Sequence, residues 1–364
     1  MRITRRLAEA TDVVTVSRPG IEEHTISART PGQDNLAVFR NFPPVKAPVV
    51  SQFVFGGCRF CDEAKSLMGK VTWPVTWVQG DDCSGEQLAG TQVLAVSGPS
   101  VRPIELGGRV VGCAYADEDA EWCHLGGLFP ADKTLSRPEQ ARSVFERMEA
   151  ALKQADMEFP NVVRTWLFLD KLLSWYAEFN AVRTGFFEER SLFGKMIPAS
   201  TGIGAGNCPG AALVAGAIAM KPKREGVRVL PVTSPLQCPA TSYKSSFSRA
   251  VEVAITGGRR LHISGTASID PSGQTAHGGD VDKQIGLTMK VLSALLESRG
   301  MTWADTTRVI AYFTDMRHAP RLAAYCREAG IPQLPLVLAH ATICRHDLLF
   351  EAEVDAAKAE AKGD

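Results

Sequence analysis

Apolar residues recur at helical spacing in two places. Ala141, Val144, Phe145, Met148, Ala151 and Leu152 follow the i, i+3, i+4, i+7 rule. Ile285, Thr288, Met289, Leu292, Leu295 and Leu296 repeat it, with Thr288 the one polar member. A stripe of this width is the buried face of an amphipathic helix. Each stripe is followed by a short turn and then by a run of strand-forming residues, Val162–Leu169 and Thr306–Phe313. Laid side by side, Gln140–Asp170 and Gln284–Thr314 align without a gap and are identical at Gln140/Gln284, Leu152/Leu296, Met157/Met301 and Arg164/Arg308.

The correspondence continues on both sides. His124-Leu-Gly-Gly127 resembles His262-Ile-Ser-Gly265 upstream, and Cys208–Ala219 resembles Cys344–Asp355 downstream. An ordered series of matches points to a duplicated α+β unit that reads strands, helix, strand, helix, strand. The segment 221–246, rich in Pro, Ser and Thr, joins the copies. It divides the chain into an N-terminal domain, residues 1–222, and a C-terminal domain, residues 223–364. The first hundred or so residues carry strand-like runs, Val49–Phe55 and Gln92–Val96, without an evident counterpart in the second copy. They read as an extension of the first domain.

Composition narrows the function classes. The chain has 364 residues, 45% hydrophobic and 22% charged, which is the make-up of an ordered globular protein large enough for two domains. Forty basic residues balance forty acidic ones, removing the usual electrostatic reason to bind nucleic acid or an anionic membrane. The longest mostly apolar uncharged run, 209–220, falls well short of the ~20 residues of a spanning helix. Met-Arg-Ile-Thr-Arg-Arg at the start has charge but no apolar stretch behind it, so no signal peptide is expected. Nine cysteines are an odd number for a disulfide framework, and a reduced, cytoplasmic protein is expected.

Comparing the copies isolates candidate chemistry. In the last strand of the second copy, alternation puts Leu348, Phe350, Ala352 and Val354 on one face and Leu349, Glu351, Glu353 and Asp355 on the other. By sequence the first copy offers Leu213, Ala215, Ala217 and Ala219 there, three alanines against three acids. Acids on a strand are either a solvated face or a buried set that needs partners or a raised pKa, and the second is how a general acid is made. Glu351 lies deepest and is the candidate acid. Cys344 precedes it by a turn, and the matching Cys208 allows a plain buried thiol as well. Arg345 has Pro209 as its counterpart. It is either an exposed turn residue or a guanidinium able to hold a carboxylate in bidentate fashion.

Cys58-Arg-Phe-Cys61 has CxxC spacing between a strand-like and a helix-like segment, without a second motif to complete a zinc site. Thr201-Gly-Ile-Gly-Ala-Gly206 lacks the helix and downstream acid of a dinucleotide fingerprint. No metal site is expected.

Several motifs carry a resemblance: Val163-Arg-Thr-Trp166, Tyr176 with Phe179-Asn and Arg183, Pro198-Ala-Ser-Thr-Gly-Ile-Gly204, Phe247-Ser-Arg-Ala250, Ile263-Ser-Gly-Thr-Ala-Ser268 and the closing Cys344-Arg-His-Asp-Leu-Leu-Phe-Glu351. Across residues 105–356 the chain resembles the RidA (YjgF) superfamily, and its tandem arrangement is similar to the chorismatases. The resemblance implies an α+β fold of two tandem RidA-like (chorismate-mutase-like) domains, each a sheet flanked by two helices. It implies a lyase or hydrolase without a cofactor, releasing the enolpyruvyl group of chorismate or a related acid as pyruvate. The product would be a hydroxybenzoate or a dihydroxycyclohexadiene carboxylate. Glu351 would be the catalytic acid, Cys344 a residue of the second step, and Arg345, Arg249, Arg183, Tyr176 and Arg164 substrate contacts. A homotrimer is a further implication, since relatives are often trimers.

Two positions depart from the family pattern. Leu236 in Ser234-Pro-Leu-Gln237 stands where chorismatases have an arginine, and Val337 in Pro335-Leu-Val337 where imine-hydrolysing relatives have one. The alternative reading is a non-catalytic or repurposed small-molecule-binding member of the superfamily, with imine deamination disfavoured.

Overall fold

The computed structural model describes residues 1–30, 34–40, 46–79, 87–243 and 245–360, apart from the side chain of Tyr243. Its strands assemble into three sheets of six. The first contains β1 (Arg2–Arg6), β2 (Thr11–Arg18), β3 (Ile21–Arg29), β4 (Val49–Gly56), β5 (Val75–Val78) and β6 (Leu88–Ser97), with helices α1 (Ala37–Arg40) and α2 (Cys61–Met68). The second runs β7 (Arg102–Leu106), β8 (Arg109–Ala116), β9 (Ala120–Leu128), α3 (Arg137–Lys153), β10 (Val162–Leu169), α4 (Tyr176–Glu189), β11 (Ala199–Gly204) and β12 (Leu213–Pro222). The third runs β13 (Arg228–Val232), β14 (Ala250–Ile255), β15 (Gly258–Ala267), α5 (Val281–Ser298), β16 (Thr306–Phe313), α6 (Ala319–Glu328), β17 (Leu336–His340) and β18 (Phe350–Ala359).

All three sheets share one strand order. Counting from the first strand of each, it is first, second, third, sixth, fourth, fifth: β1-β2-β3-β6-β4-β5, β7-β8-β9-β12-β10-β11 and β13-β14-β15-β18-β16-β17. The expected two copies are therefore corrected to three, and the N-terminal segment is a full unit rather than an extension. Its helices hid it. α1 has 4 residues and α2 has 8, too short for a helical stripe to register, against 17 in α3 and 18 in α5.

The long helices start where local chemistry stops the strand. Ser136 and Glu139 form a capping box ahead of α3, and the Asp280 carboxylate accepts from the backbone N–H of Lys283 to cap α5. Both devices satisfy orphan N–H groups of a first turn. The matched glutamines do the same work in each copy. Gln140 accepts from Ala212 N–H at 2.9 Å and Gln284 from Leu349 N–H at 2.8 Å, each pinning the chain as it enters the last strand.

Helices cover the outer face of each sheet. Phe145, Phe179 and Phe186 pack on Ala215, Ala217 and Ala219 in the second unit. Leu292 and Leu295 pack with Ala352, Val354 and Ala356 in the third. The inner faces meet one another in a shared core of Phe53 and Phe55 from the first unit, Trp166 and Phe168 from the second, and Ile310, Tyr312 and Val337 from the third.

Strand register corrects the pairing of acids with alanines. Glu351, Glu353 and Asp355 lie opposite Tyr312, Ile310 and Arg308. Val214, Gly216 and Ile218 lie opposite Phe168, Trp166 and Arg164. Because Arg164 matches Arg308, the counterparts of the acids are Val214, Gly216 and Ile218, one residue away from the alanines. A slip of one residue exchanges the two faces of a strand, so the alanines are helix-facing and the acids face the inter-unit core. Among the described residues no helix is long and apolar enough to cross a membrane.

Candidate active site

The second and third units meet where β11 runs beside the start of the third sheet. Ala199 bridges Ser248, Ser200 N–H donates to Ser264 Oγ at 2.8 Å, and Gly265 N–H donates to Thr201 Oγ1 at 3.0 Å. Above this seam lies a cavity of about 780 Å³. Six of the residues singled out from sequence line it: Tyr176 and Arg183 from α4, and Arg249, Cys344, Arg345 and Glu351 from the third unit. Residues as far apart in the chain as Tyr176 and Glu351 are thus brought to one cleft by the docking of two copies.

Glu351 opens into this cavity from β18 and is only 5% exposed. Room for its carboxyl comes from Gly265 on the neighbouring strand, where a Cβ would fall 2.0 Å from Glu351 Oε1. Burial, with the Glu353 charge two residues on, pushes its pKa up to about 8, against the opposing pull of Arg164 and Arg249. A carboxyl in this state is protonated at neutral pH.

The other two acids are handled differently. Glu353 accepts from Arg164 Nη2 at 2.9 Å, Trp166 Nε1 at 2.8 Å and Arg308 Nη2 at 2.6 Å. Asp355 accepts from Arg308 Nη1 at 3.1 Å and lies 2.9 Å from His262 Nδ1. Burial alone would raise Asp355, but His262 and Arg308 outweigh it and hold the carboxyl well below its usual range. All three acids are buried, so the solvated-face reading does not hold.

Arg164 requires a correction. It is fully buried, donates to Thr201 Oγ1 at 2.6 Å and pairs with Glu353, and it is absent from the cavity lining. Its guanidinium neutralises an acid of the protein and contacts no substrate space.

The remaining arginines line the wall. Arg183 Nη2 donates to Asn180 Oδ1 at 2.6 Å and Ser245 Oγ at 2.9 Å. Arg249 donates through Nε and Nη2 to Cys238 O at 3.0 and 2.9 Å. Arg345 Nη2 donates to Gly273 O at 2.8 Å, so the residue is held rather than loose in a turn. Phe247 stands between the first two, its ring 6.0 Å from the Arg183 guanidinium and 5.5 Å from that of Arg249. Cys344 has its thiol pushed up to about 12 by burial and the Glu351 charge. Tyr176 is likewise raised to about 12, by burial and then Cys344.

Sequence reasoning missed Gly265, the Glu353 ion cluster and Phe247 as functional elements. The first and last sit inside motifs already quoted for the resemblance, which was the available signal. Leu236 packs against the core of the third unit and Val337 is buried in the shared core, so neither faces the cavity.

Comparison with known proteins agrees with this architecture. The model of the endoribonuclease L-PSP family matches residues 120–220. The chain is 28% identical over 271 residues to a 3-hydroxybenzoate synthase of Streptomyces hygroscopicus, covering 66% of this chain and 75% of that protein. It is 26% identical over 220 residues to a chorismatase of Streptomyces rapamycinicus, covering 54% and 64%. A chorismatase crystal structure superposes with a TM-score of 0.64 at 19% identity, over 92% of this chain and 98% of the other. Fold and cleft first define the class, RidA-like α+β units repeated within one chain. Within that class the chain is similar, at modest identity, to the chorismatases and the 3-hydroxybenzoate synthase.

Proposed function

We propose that the protein removes the enolpyruvyl group of chorismate or a related acid as pyruvate, with Glu351 as the general acid. The observation that carries this reading is a carboxyl of raised pKa, enclosed beside three arginines in a cavity of about 780 Å³. Cleaving an enol ether begins with proton transfer to its terminal carbon, which leaves a cation on the ether carbon. An acid that is still protonated at neutral pH and opens into the cleft suits that step, worth roughly 10²–10⁴-fold in rate. Water adding to the cation then gives a hemiketal, which collapses to pyruvate and the ring alcohol. The Glu351 carboxylate left by the first step stabilises the cation and takes back the proton that water releases.

Arg345, Arg249 and Arg183 are the substrate-carboxylate anchors in this scheme, since charge-assisted contacts from a preformed donor array orient an anion. Tyr176 forms the wall opposite. Cys344, neutral at working pH, lies against the acid and shapes the second step. We read the trimer of simpler relatives as built here within one chain, and the site of action as the cytoplasm.

The test is pyruvate release from chorismate, followed with a coupled dehydrogenase, with the ring product identified by chromatography. Glu351→Gln should lose pyruvate release while its circular dichroism stays that of the parent. Wild-type turnover by that variant overturns the assignment of the acid. Absence of pyruvate from the parent protein at high concentration favours the binding-protein reading, which Leu236 supports.

A further inference from the structure

The three units meet at more than one seam, and the seam between the first and second units is built on the same plan as the one above. There Gln79 bridges Gly206 as Gly204 bridges Thr342 in the proposed active cleft. Cys61 is the first residue of α2 as Tyr176 is the first of α4. Cys208 stands in the position of Cys344, and Val214 in the register position of Glu351. This seam carries no acid at that position and has cysteines from both units beside it.

The thiols lie close together. The Cys208 thiol perturbs, and is perturbed by, the Cys61 thiol, and Cys58 raises it further, so both lie within interaction range of it. The main chain fixes this approach, with Cys58 N–H donating to Gln79 Oε1 at 2.6 Å and Gln79 N–H to Gly206 O at 2.9 Å. All three are free cysteines, Cys208 exposed, Cys58 half-buried and Cys61 buried. Among the described residues no group of His, Cys, Asp and Glu could hold a metal ion.

We propose that this seam is a thiol–disulfide site, in which Cys208 of the second unit forms a disulfide with the Cys58-x-x-Cys61 pair of the first on reaction with a small-molecule disulfide. The exposed Cys208 thiolate attacks the reagent, forming a mixed disulfide and releasing one thiol. The Cys58 thiolate then attacks the Cys208 sulfur and releases the second. Two protein S–H bonds are lost, one S–S bond forms, and the reagent is reduced by two electrons to two thiols. Cys61, within interaction range of Cys208, exchanges into the bond by the same attack. Hydrogen bonding to Cys58 holds the Cys208 thiol up at about 12, so the reaction is slow at neutral pH and quickens as pH rises.

The experiment treats the folded protein with oxidised glutathione, alkylates unpaired thiols, and digests with trypsin without reduction. Cleavage after Arg59 puts Cys58 and Cys61 on different peptides, and Cys208 falls on the peptide that begins at Met196. The expected result is the Cys208 peptide joined to one of the other two, with titratable thiols in the denatured protein falling from nine to seven. Cys208→Ser should lose the link and stay fully folded by circular dichroism. Glutathione on Cys208 without a protein crosslink, a Cys58–Cys61 bond with Cys208 free, or no reaction at all would each overturn the proposal.

Discussion

Gly265→Ala tests the placement of the acid more sharply than removal of the acid itself. The added carbon would lie 2.0 Å from Glu351 Oε1, 3.1 Å from its Cδ and 3.1 Å from Thr201 Cγ2. Restoring an ordinary contact of about 3.5 Å makes the carboxyl oxygen retreat by roughly 1.5 Å. The fold can absorb this. Gly265 lies in β15 outside the positive-φ set, so alanine is compatible with the backbone, and the main obstacle is the far end of a side chain that can turn into the cavity. The net stability change should stay within about 2 kcal/mol. Proton transfer does not tolerate the same movement, because a misplacement of about 1 Å costs on the order of 10²-fold. We expect kcat for pyruvate release to fall about a hundredfold with Tm changed by only a few degrees. Gly202→Ala is the control, since Gly202 lines the same cavity but its added carbon meets nothing within 4 Å. Its kcat should stay close to the parent value, with any effect in KM. A folded Gly265→Ala protein with kcat within about twofold of the parent would refute the placement of Glu351 as proton donor.

The pH dependence has a definite sign. Because Glu351 titrates at about 8 and acts protonated, kcat should hold level through neutrality and drop tenfold per pH unit above about 8. The same raised pKa favours the fold fully below about 4.5, and this contribution is lost as pH rises to about 8. The loss is on the order of 5 kcal/mol, so denaturant titrations should show Glu351→Gln more stable than the parent at pH 9 by several kcal/mol. Arg164→Met leaves Glu353 short of one partner in a fully buried pair and should cost about 3–5 kcal/mol in denaturant unfolding. It also removes one of the charges that pull Glu351 down, so any residual activity should persist to higher pH.

Periodicity made the second and third units legible because α3 and α5 are long enough to display a full apolar stripe. The first unit carries the same strand order on a helix of 8 residues, and tertiary packing rather than local pattern holds it in place. Glu351 and Arg345 could be picked out because they stand in one copy, and Cys344 because it lies close to them in the chain. Arg164 shows the limit of that approach. Its motif position was right, but its direction is set by Glu353 of another unit, and no spacing rule relates residues from two sheets. The alanine counterparts failed for a related reason. An alignment of strand ends is blind to a one-residue slip, whereas the ladder opposite Arg164 and Arg308 is not.

That ladder also explains why one acid of three stays protonated. Arg164 and Arg308 are the same residue of two copies, yet the second unit has Val214, Gly216 and Ile218 where the third has its acids. Arg164 therefore finds its counter-charge across the interface on Glu353, which Arg308 shares, while Arg308 and His262 take Asp355. Two guanidinium groups thus pair with two carboxylates, and His262 adds a hydrogen bond to Asp355, in a region where an unpaired charge costs several kcal/mol. A third negative charge on Glu351 would sit buried beside Glu353, and these two effects outweigh the pull of Arg164 and Arg249. Keeping its proton is the lower-energy state. The docking of the two units and the acidity of the cleft follow from one charge arrangement, and a change that loosens the Arg164–Glu353 contact should disturb both together.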